Sequence, residues 1–451
     1  MYKYKNENMS LEELKYKMLS KSLKDDIQLT DKQNEAFSAM VNGENIFLTG
    51  MGGVGKSATL KMFMKVYKSE RNMGITSTTG ISALLFNGTT LHSFTGIGLG
   101  TASAETLIKK IMVRSYLRKR WEELEVLIID EVSMLSPELF DKLEYIARAV
   151  RRNEMPFGGI QLILSGDFCQ LPVVKCPDFC FEAKSWEECV DNTIYLTEII
   201  RQSEKDFQGC LNNVRLGKLD KKTRKLLQSR VGVKLENKHG IKPTELYSTN
   251  RNVDVINERE MDKLAETGIE FREYEMDIQI HPGVKNRQYA REKYRKNCTA
   301  TDILQLCVGS QVMLLHNLEI DVGLVNGSRG VVTKFVHDIP VVKFLNGQER
   351  VIDFHVWEWE ESDKKMGSVT QIPLKLAYAM TIHRSQGCSL DYVEIDLSNV
   401  FEYGQAYVAL SRVKSKEGLS ITDIDFDKIC AHPKALEYYE KLNKRIKSCV
   451  K

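Results

Sequence analysis

The run Gly50-Met51-Gly52-Gly53-Val54-Gly55-Lys56-Ser57 spaces its glycines, one lysine and one hydroxyl in the pattern G-x-x-x-x-G-K-[ST]. Glycines at these places let main-chain N–H groups turn inward around phosphates, at the positive end of the helix that follows. Lys56 would neutralise the β- and γ-phosphates and Ser57 would offer an oxygen to Mg²⁺, with Ala58 closing the cradle. Such a cradle needs an acidic partner at the end of another buried strand, and Val126-Leu127-Ile128-Ile129-Asp130-Glu131 supplies one. Asp130 is expected to hold Mg²⁺, directly or through water, and Glu131 to take a proton from the attacking water. The second carboxylate points to hydrolysis rather than phosphoryl transfer to a metabolite.

Further residues fit the same chemistry. A third strand ends in Ser165-Gly166-Asp167-Phe168-Cys169-Gln170-Leu171-Pro172, which places Gln170 to sense the γ-phosphate and report it to a bound strand. Charge developing on the phosphoryl group calls for arginine. Arg201 in LTEIIRQ and Arg412 in VALSRV are the candidates, although either alone could be a surface ion pair. Both are read as lying in a second α/β region. The nucleotide would then sit between two domains, and hydrolysis would open and close the cleft. Gln33, in LTDKQNEAF, is placed to bond adenine through its amide, which makes ATP the expected nucleotide.

These groups need strands to carry them. Short apolar runs at 45–49, 74–77, 126–129 and 160–165 alternate with helical stretches, which argues for a parallel sheet with helices on both faces. A helix is expected from Pro137 to about Asn153, with Ser136 as N-cap and Pro137 in the first turn. Its apolar stripe is Leu139, Phe140, Leu143, Ile146, Ala147 and Val150, leaving Asp141, Glu144, Arg148 and Arg151 outside. A second alternating region begins near Thr193, with strands at 193–196, 244–247, 376–381 and 392–397. Between its parts, apolar runs at 311–315, 331–336 and 341–345 are separated by Asn326-Gly327 and Asn346-Gly347. Asn-Gly accepts positive φ at both positions and so favours a two-residue hairpin. Residues 309–368 are therefore read as a small antiparallel module inserted into the second region. Residues 11–23 read as a short amphipathic helix, and the basic stretch 285–296 as a solvated loop or helix face rather than a nucleic-acid contact.

A chain of 451 residues is long enough for two or three cores. Its 64 basic and 61 acidic residues nearly cancel, so a polyanion would have to be met by local clusters rather than by the total charge. No apolar run approaches the roughly 20 residues that span a bilayer, and no signal-like segment opens the chain. A soluble intracellular protein with reduced thiols is expected. Cys169, Cys176, Cys180 and Cys189 lack the tight pairs of a zinc site and are read as scattered thiols.

The order ITSTTGISALLFNGTTLHSFTGIGLG, IIDEVSMLSPELFDKLEYIARAVRRN and PFGGIQLILSGDFCQLP closely resembles the petite integration frequency (PIF) helicase family of superfamily 1B. The later segments LTEIIRQ, ELYSTNRNVDVIN, LAYAMTIHRSQGCSLD and GQAYVALSRV match as well, so the resemblance spans roughly residues 28–425. It implies an ATP- and Mg²⁺-dependent motor, active as a monomer, that unwinds forked or tailed DNA from five-prime to three-prime at sites of DNA metabolism in nucleus or cytoplasm. It also implies an α/β fold of two RecA-like domains: a charged extension at 1–27, a first domain at 28–190 with a wedge at about 97–120, and a second at 191–308 and 369–451. The module at 309–368 would be SH3-like. By the same resemblance, Thr79, Gly80, His92, Ser93, Phe94 and Pro172 would contact single-stranded DNA from the first domain. Asn250, Thr381, His383 and Ser385 would do so from the second. Hydroxyls, amides and backbone N–H groups suit phosphate contacts that ignore sequence, and an aromatic ring suits stacking. Gly387 would let the backbone approach the γ-phosphate, with Gln386 beside it. Cys169 stands where the family often has a bulkier residue, so a packing difference is expected there. With tails this short, recruitment is expected to use the core surface or the charged N-terminal segment.

Other readings share parts of this pattern. A RecD-type motor has the same chemistry but matches the PFGGIQLILSGDFCQLP segment less closely. An RNA helicase uses the same core, because contacts to phosphate do not read the sugar. A non-translocating DNA-stimulated ATPase would hydrolyse ATP without displacing a strand, and a small-molecule kinase would have no use for two arginines in a second domain.

Overall fold

A computed structural model describes residues 29–449 apart from 87, 99, 175, 236–239, 285, 299, 320–321, 325 and 362–363. The helix expected at 11–23 lies outside the described residues, as does the side chain of Asn250. The described residues gather into two compact units. The first holds residues up to Thr78, Leu91–Asp167 and Lys175–Arg201; the second holds Thr79–Thr90, Phe168–Val174 and the chain from Gln202.

The early strands are β1 (Ile46–Gly50), β2 (Met73–Ser77), β3 (Thr89–Thr90), β4 (Val126–Asp130), β5 (Gln161–Gly166) and β6 (Asn192–Leu196). In the first unit β2, β4, β5, β1 and β6 lie side by side in that order, all parallel. β1, β4 and β5 are buried along their whole length, which explains their unbroken apolar runs. The run at 193–196, expected in the second region, is instead the edge of this first sheet. Asn192–Leu196 pairs residue by residue with Ile46–Gly50, and the Asp191 carboxylate accepts the Asn45 N–H at 2.8 Å. The first unit therefore runs through Arg201 and not to residue 190. Alternation told which face of the strand is buried but not which sheet it joins.

The helix Pro137–Arg151 buries Phe140, Leu143, Ile146, Ala147 and Val150, and the Ser136 hydroxyl accepts the Leu139 N–H at 3.2 Å. Glu144, expected outside the stripe, is buried as well. Arg148 neutralises it through two hydrogen bonds at 2.7 and 3.0 Å. The segment expected as a wedge forms helices Ala104–Val113 and Ser115–Glu123, ending beyond residue 120. Leu107, Ile111, Leu117 and Trp121 are buried, and the Trp121 indole N–H donates to the Thr95 carbonyl at 3.1 Å.

The second unit contains a parallel sheet and antiparallel insertions. β7 (Thr244–Tyr247) enters the parallel sheet. The insertions follow: β8 (Arg272–Glu275), β9 (Asp277–Ile280), β10 (Ile303–Leu306), β11 (Gln311–Leu314), β12 (Arg329–Val336), β13 (Ile339–Phe344), β14 (Glu349–Val351), β15 (His355–Glu361), β16 (Lys364–Gln371) and β17 (Leu374–Leu376). They form a five-stranded sheet in the order β14-β13-β12-β11-β17, a three-stranded sheet β15-β16-β9 and the pair β10-β8. The antiparallel part is thus wider than 309–368. The chain then returns through β18 (Ala379–Thr381), β19 (Val393–Leu397) and β20 (Leu419–Ile424), giving a parallel sheet β18-β7-β19-β20.

Three expectations change here. The run 376–381 splits: Leu376 closes β17 on the antiparallel side, and Ala379 opens β18 on the parallel side. Asn346-Gly347 does lie in the hairpin between β13 and β14, but Gly347 alone stands at positive φ, +87°, and the connection is longer than two residues. Asn326-Gly327 is not a two-residue turn either, because the link from β11 to β12 is far longer. The tight turn between β12 and β13 is His337-Asp338, both at positive φ. Neither residue is glycine, so composition hid it. The basic stretch forms helix Arg287–Asn297, where Arg287 and Arg291 donate to the Ile280 and Ile278 carbonyls of β9. Two of its cations are thus occupied with the fold.

Candidate active site and strand-binding residues

The phosphate loop leaves the C-terminal end of β1, the edge at which open parallel sheets bind ligands. Gly50, Gly53 and Gly55 stand at φ +144°, +91° and +86°. A β-carbon on Gly50 would run into the Leu196 carbonyl of β6, and one on Gly55 would collide with the Gln33 amide. Both sites need glycine for space as well as for conformation. Lys56 begins the helix Lys56–Tyr67, and its ammonium donates to the carbonyls of Gly50 at 2.6 Å and Met51 at 3.1 Å. A cation is thereby held against the start of the loop. Ser57 and Ala58 follow in the first turn, Ser57 half-buried and Ala58 exposed.

Gln33 is more committed than its sequence position suggested. Its Oε1 accepts the Thr30 N–H at 2.9 Å and its Nε2 donates to the Val54 carbonyl at 3.2 Å, with the side chain buried. The first bond closes a capping box on the helix Asp31–Val41. The amide expected to read adenine is thus also bonded to the phosphate loop.

The acidic pair ends β4. Asp130 and Glu131 are both buried, and Glu131 adopts a left-handed backbone at φ 57°, ψ 46°. The Asp130 carbonyl accepts the Thr78 N–H and the Ser77 hydroxyl, each at 3.2 Å. Gly166, closing β5, leaves room for the turn: a β-carbon there would lie 3.0 Å from the Val132 nitrogen.

Arg201 belongs with this unit. Its N–H and that of Ile200 donate to the Gly53 carbonyl at 3.0 and 2.9 Å, so the backbone carrying this arginine is fastened to the phosphate loop. The expectation that Arg201 and Arg412 share a lobe is corrected accordingly. The length of β6, which carries the chain back to the loop, decides it.

Arg412 lies in the second unit at the end of the helix Gln405–Ser411. It is buried, with Nε donating to the Val408 carbonyl at 2.9 Å and Nη2 to the Ser411 hydroxyl at 2.8 Å. Gln170 is in the same unit: the Gln386 Nε2 donates to its Oε1 at 3.4 Å. Gly404, at φ +74°, opens the helix that leads to Arg412. A β-carbon there would meet the carbonyls of Cys169 and Gln170 at 2.5 and 2.7 Å. Cys169 itself is buried. Gln170, Gln386 and the arginine helix are thus packed as one group, and Gly404, which sequence reasoning passed over, makes the approach possible. Gly387 has φ +83°. It lines a cavity of about 580 Å³ shared with Asn326, Asn346 and Lys414.

The residues expected on the strand divide between the units. His92, Ser93 and Phe94 are in the first. Ser93 is exposed, His92 is half-buried, and burial holds the His92 imidazole below its ordinary pKa. The Phe94 ring is already engaged: it packs on Gly74, and the Arg120 guanidinium stands 5.1 Å from its centroid. Thr79, Gly80, Pro172, Asn250, Thr381, His383 and Ser385 are in the second. Thr79 Oγ1 accepts the Ser82 N–H at 3.2 Å, and a β-carbon on Gly80 would meet open space. Pro172 is half-buried, and Asn250 begins the helix Asn250–Ala265. The Thr381 hydroxyl accepts the Arg384 N–H at 3.2 Å, and His383 lies 3.1 Å from Glu402. Ser385 is fully buried and its hydroxyl donates to the Ile382 carbonyl at 2.7 Å, so it shapes the turn that presents His383.

Among the described residues no group of three or more His, Cys, Asp or Glu side chains is arranged to hold a metal. Cys180 and Cys189 are buried, and burial pushes the Cys189 thiol up to about 12. No helix of the described residues is long and apolar enough to cross a membrane.

Residues 28–225 match the family model described as PIF1-like helicase, and residues 292–335 match the model of the DNA helicase Pif1 2B domain. The ATP-dependent DNA helicase PIF1 of Xenopus laevis is 42% identical over 431 residues, which cover 94% of this chain and 66% of the relative. The chain therefore spans about two thirds of that relative's length. The crystal structure of the Pif1 helicase from Candida albicans is 37% identical, with a TM-score of 0.78 over 92% of this chain and 100% of that one. The Bacteroides Pif1 helicase in complex with ADP-AlF3 and ssDNA is 29% identical, with a TM-score of 0.66 over 93% and 98%. A fold of parallel sheets with antiparallel insertions, a glycine loop backed by an acidic pair, and a solved relative matched along its full length together place this chain in the PIF1-like helicase family.

Proposed function

We propose that this chain hydrolyses ATP and uses each turnover to move along single-stranded DNA from five-prime to three-prime, unwinding the duplex ahead. The observation that carries the reading is the loop Gly50–Ser57 at the end of β1, facing the same strand edge as Asp130 and Glu131 at the end of β4. Membership of the family supports the DNA track, and the Bacteroides relative in complex with ADP-AlF3 and ssDNA supports the pairing of nucleotide and strand.

In this reading the N–H groups of Gly50 to Ala58 and the Lys56 ammonium bind the phosphates, as preorganised donors that need no rearrangement during reaction. Glu131 accepts the proton of the attacking water. Arg201 and Arg412 meet the charge that develops on the γ-phosphoryl group, and Gln170 reports its presence. Ser57 and Asp130 fit Mg²⁺, since a hydroxyl and a carboxylate are the hard oxygen donors this ion prefers. Bound there, the ion would supply further neutralisation of phosphate charge. Gln33 keeps the loop in register and meets adenine from that position, and Gly387 lets the backbone approach the γ-phosphate. Thr79, Gly80, His92, Ser93, Phe94, Pro172, Asn250, Thr381 and His383 line the strand, with Ser385 behind them. The helices at 104–123 act as the wedge. A single chain is the working unit, active wherever DNA is processed.

Unwinding of forked DNA with one free tail tests this. A five-prime tail with ATP and Mg²⁺ should give strand displacement, and a three-prime tail should not. Displacement that requires a three-prime tail would overturn the polarity. ATP hydrolysis indifferent to single-stranded DNA would overturn the motor.

A further inference from the structure

The run Thr76-Ser77-Thr78-Thr79, where β2 ends, gives each of its four hydroxyls a different main-chain partner. Thr76 Oγ1 donates to the Ile128 carbonyl at 2.7 Å, Ser77 Oγ to Asp130 at 3.2 Å and Thr78 Oγ1 to Glu131 at 2.8 Å. The fourth, Thr79 Oγ1, accepts the Ser82 N–H within its own turn. Three hydroxyls in a row thus stitch the end of β2 to the end of β4, and the last of them reaches the residue read as the general base.

That residue needs holding. A left-handed backbone is unfavourable for a glutamate and persists only where the surroundings impose it. The Glu131 carbonyl receives the Thr78 hydroxyl at 2.8 Å and the Met134 N–H at 3.1 Å, while the Thr78 N–H fixes the neighbouring Asp130 carbonyl. The peptide that aims the Glu131 carboxylate is therefore set partly by one side-chain oxygen, on a β-branched residue whose χ1 is stiff.

We propose that Thr78 is a positioning residue for hydrolysis: its hydroxyl holds the Glu131 peptide in left-handed geometry and so aims the carboxylate at the attacking water. Thr78 also immediately precedes Thr79 and Gly80, the pair proposed to touch the strand. The backbone of the base is thus hydrogen-bonded to the residue next in sequence to the strand-binding turn. The inference rests on the reading of Glu131 as the base.

Steady-state ATP hydrolysis at saturating single-stranded DNA tests it with Thr78→Val, Thr78→Ala, Thr78→Ser and Glu131→Gln. Both hydroxyl-free variants should lose roughly tenfold in kcat, a fraction of what a general base supplies. Their KM for ATP and their affinity for the strand should stay at the wild-type values, which also reports that they fold. Thr78→Ser, which keeps the oxygen, should restore most of kcat. Wild-type kcat in the valine and alanine variants would overturn the proposal while leaving the motor intact. So would a serine variant as slow as alanine, or a rise in KM that accounts for the loss. Glu131→Gln hydrolysing ATP at the wild-type rate would remove the base itself, and the proposal with it.

Discussion

The Tyr439 hydroxyl accepts the backbone N–H of Phe168 at 3.1 Å, joining residues 271 positions apart. Tyr438, its neighbour on the helix Pro433–Cys449, sets its ring edge-on to Phe168 at 5.4 Å, and the Arg215 guanidinium lies 4.4 Å from the Tyr439 ring. The C-terminal helix therefore grips the segment that presents Gln170. Tyr439→Phe removes one acceptor without changing shape. Loss of such a buried hydrogen bond costs about 1–3 kcal/mol. Thermal unfolding of the variant should begin a few degrees lower, and its ATP hydrolysis should respond less to added single-stranded DNA. An unchanged melting curve and unchanged stimulation would show the contact to be incidental.

Lys56→Ala should abolish turnover while leaving the strand bound. The ammonium rests on the carbonyls of Gly50 and Met51, so its removal also strips a local brace from the loop. ATP hydrolysis and fluorescence anisotropy of a labelled oligonucleotide, measured on the same preparation, check both halves. A variant that hydrolyses ATP normally would refute the phosphate assignment.

Arg412→Lys keeps the charge and loses the planar fork. The guanidinium is anchored through Nε and Nη2 to Val408 and Ser411, a geometry that an ammonium cannot reproduce. Nucleotide binding should survive in equilibrium titration, while kcat falls by about 100-fold or more, the scale seen when a transition-state donor is removed. Near-normal turnover would mean that this arginine serves the fold alone.

Stability should decline in mild acid because of a histidine pair in the insertions. His316 and His355 stack with ring centroids 4.2 Å apart. Burial, reinforced by the neighbouring His316, lowers the His355 imidazole from 6.5 to about 4. The folded chain keeps this ring neutral while the unfolded chain takes up the proton. Stability is therefore complete above pH 6.5 and drains as pH falls through the window from 6.5 to 4. The loss is on the order of 1–3 kcal/mol after allowing for the ring's partial exposure. His355→Phe, which preserves stacking, should flatten this slope in denaturant unfolding followed from about pH 7.5 down to about pH 3.5, a range that brackets the window. Identical slopes would exclude the pair as its source.

Local chemistry was written plainly in the chain. A glycine loop after a buried strand, an Asp-Glu pair ending another, and a helix capped by Ser136 each depend on residues adjacent in sequence, where spacing alone dictates conformation. Asn346-Gly347 announced its hairpin for the same reason. The resemblance carried by the longer motifs extended this to the family as a whole.

What sequence could not decide was partnership over distance. Asn192–Leu196 alternates as any half-buried strand does, and only pairing with β1 assigned it and Arg201 to the first unit. Gln33 carries an amide suited to adenine, and its bond to the Val54 carbonyl appeared only when the left-handed turn at Gly55 brought the loop against it. Glu144 looked exposed until Arg148 made its burial tolerable. Gly404 and Thr78 lie inside the motifs quoted above, yet no role could be read for either, because their significance lies in what approaches them across the fold. Periodicity and spacing act within one element, whereas sheet edge, close approach and hydrogen-bond partner are settled only when the elements pack.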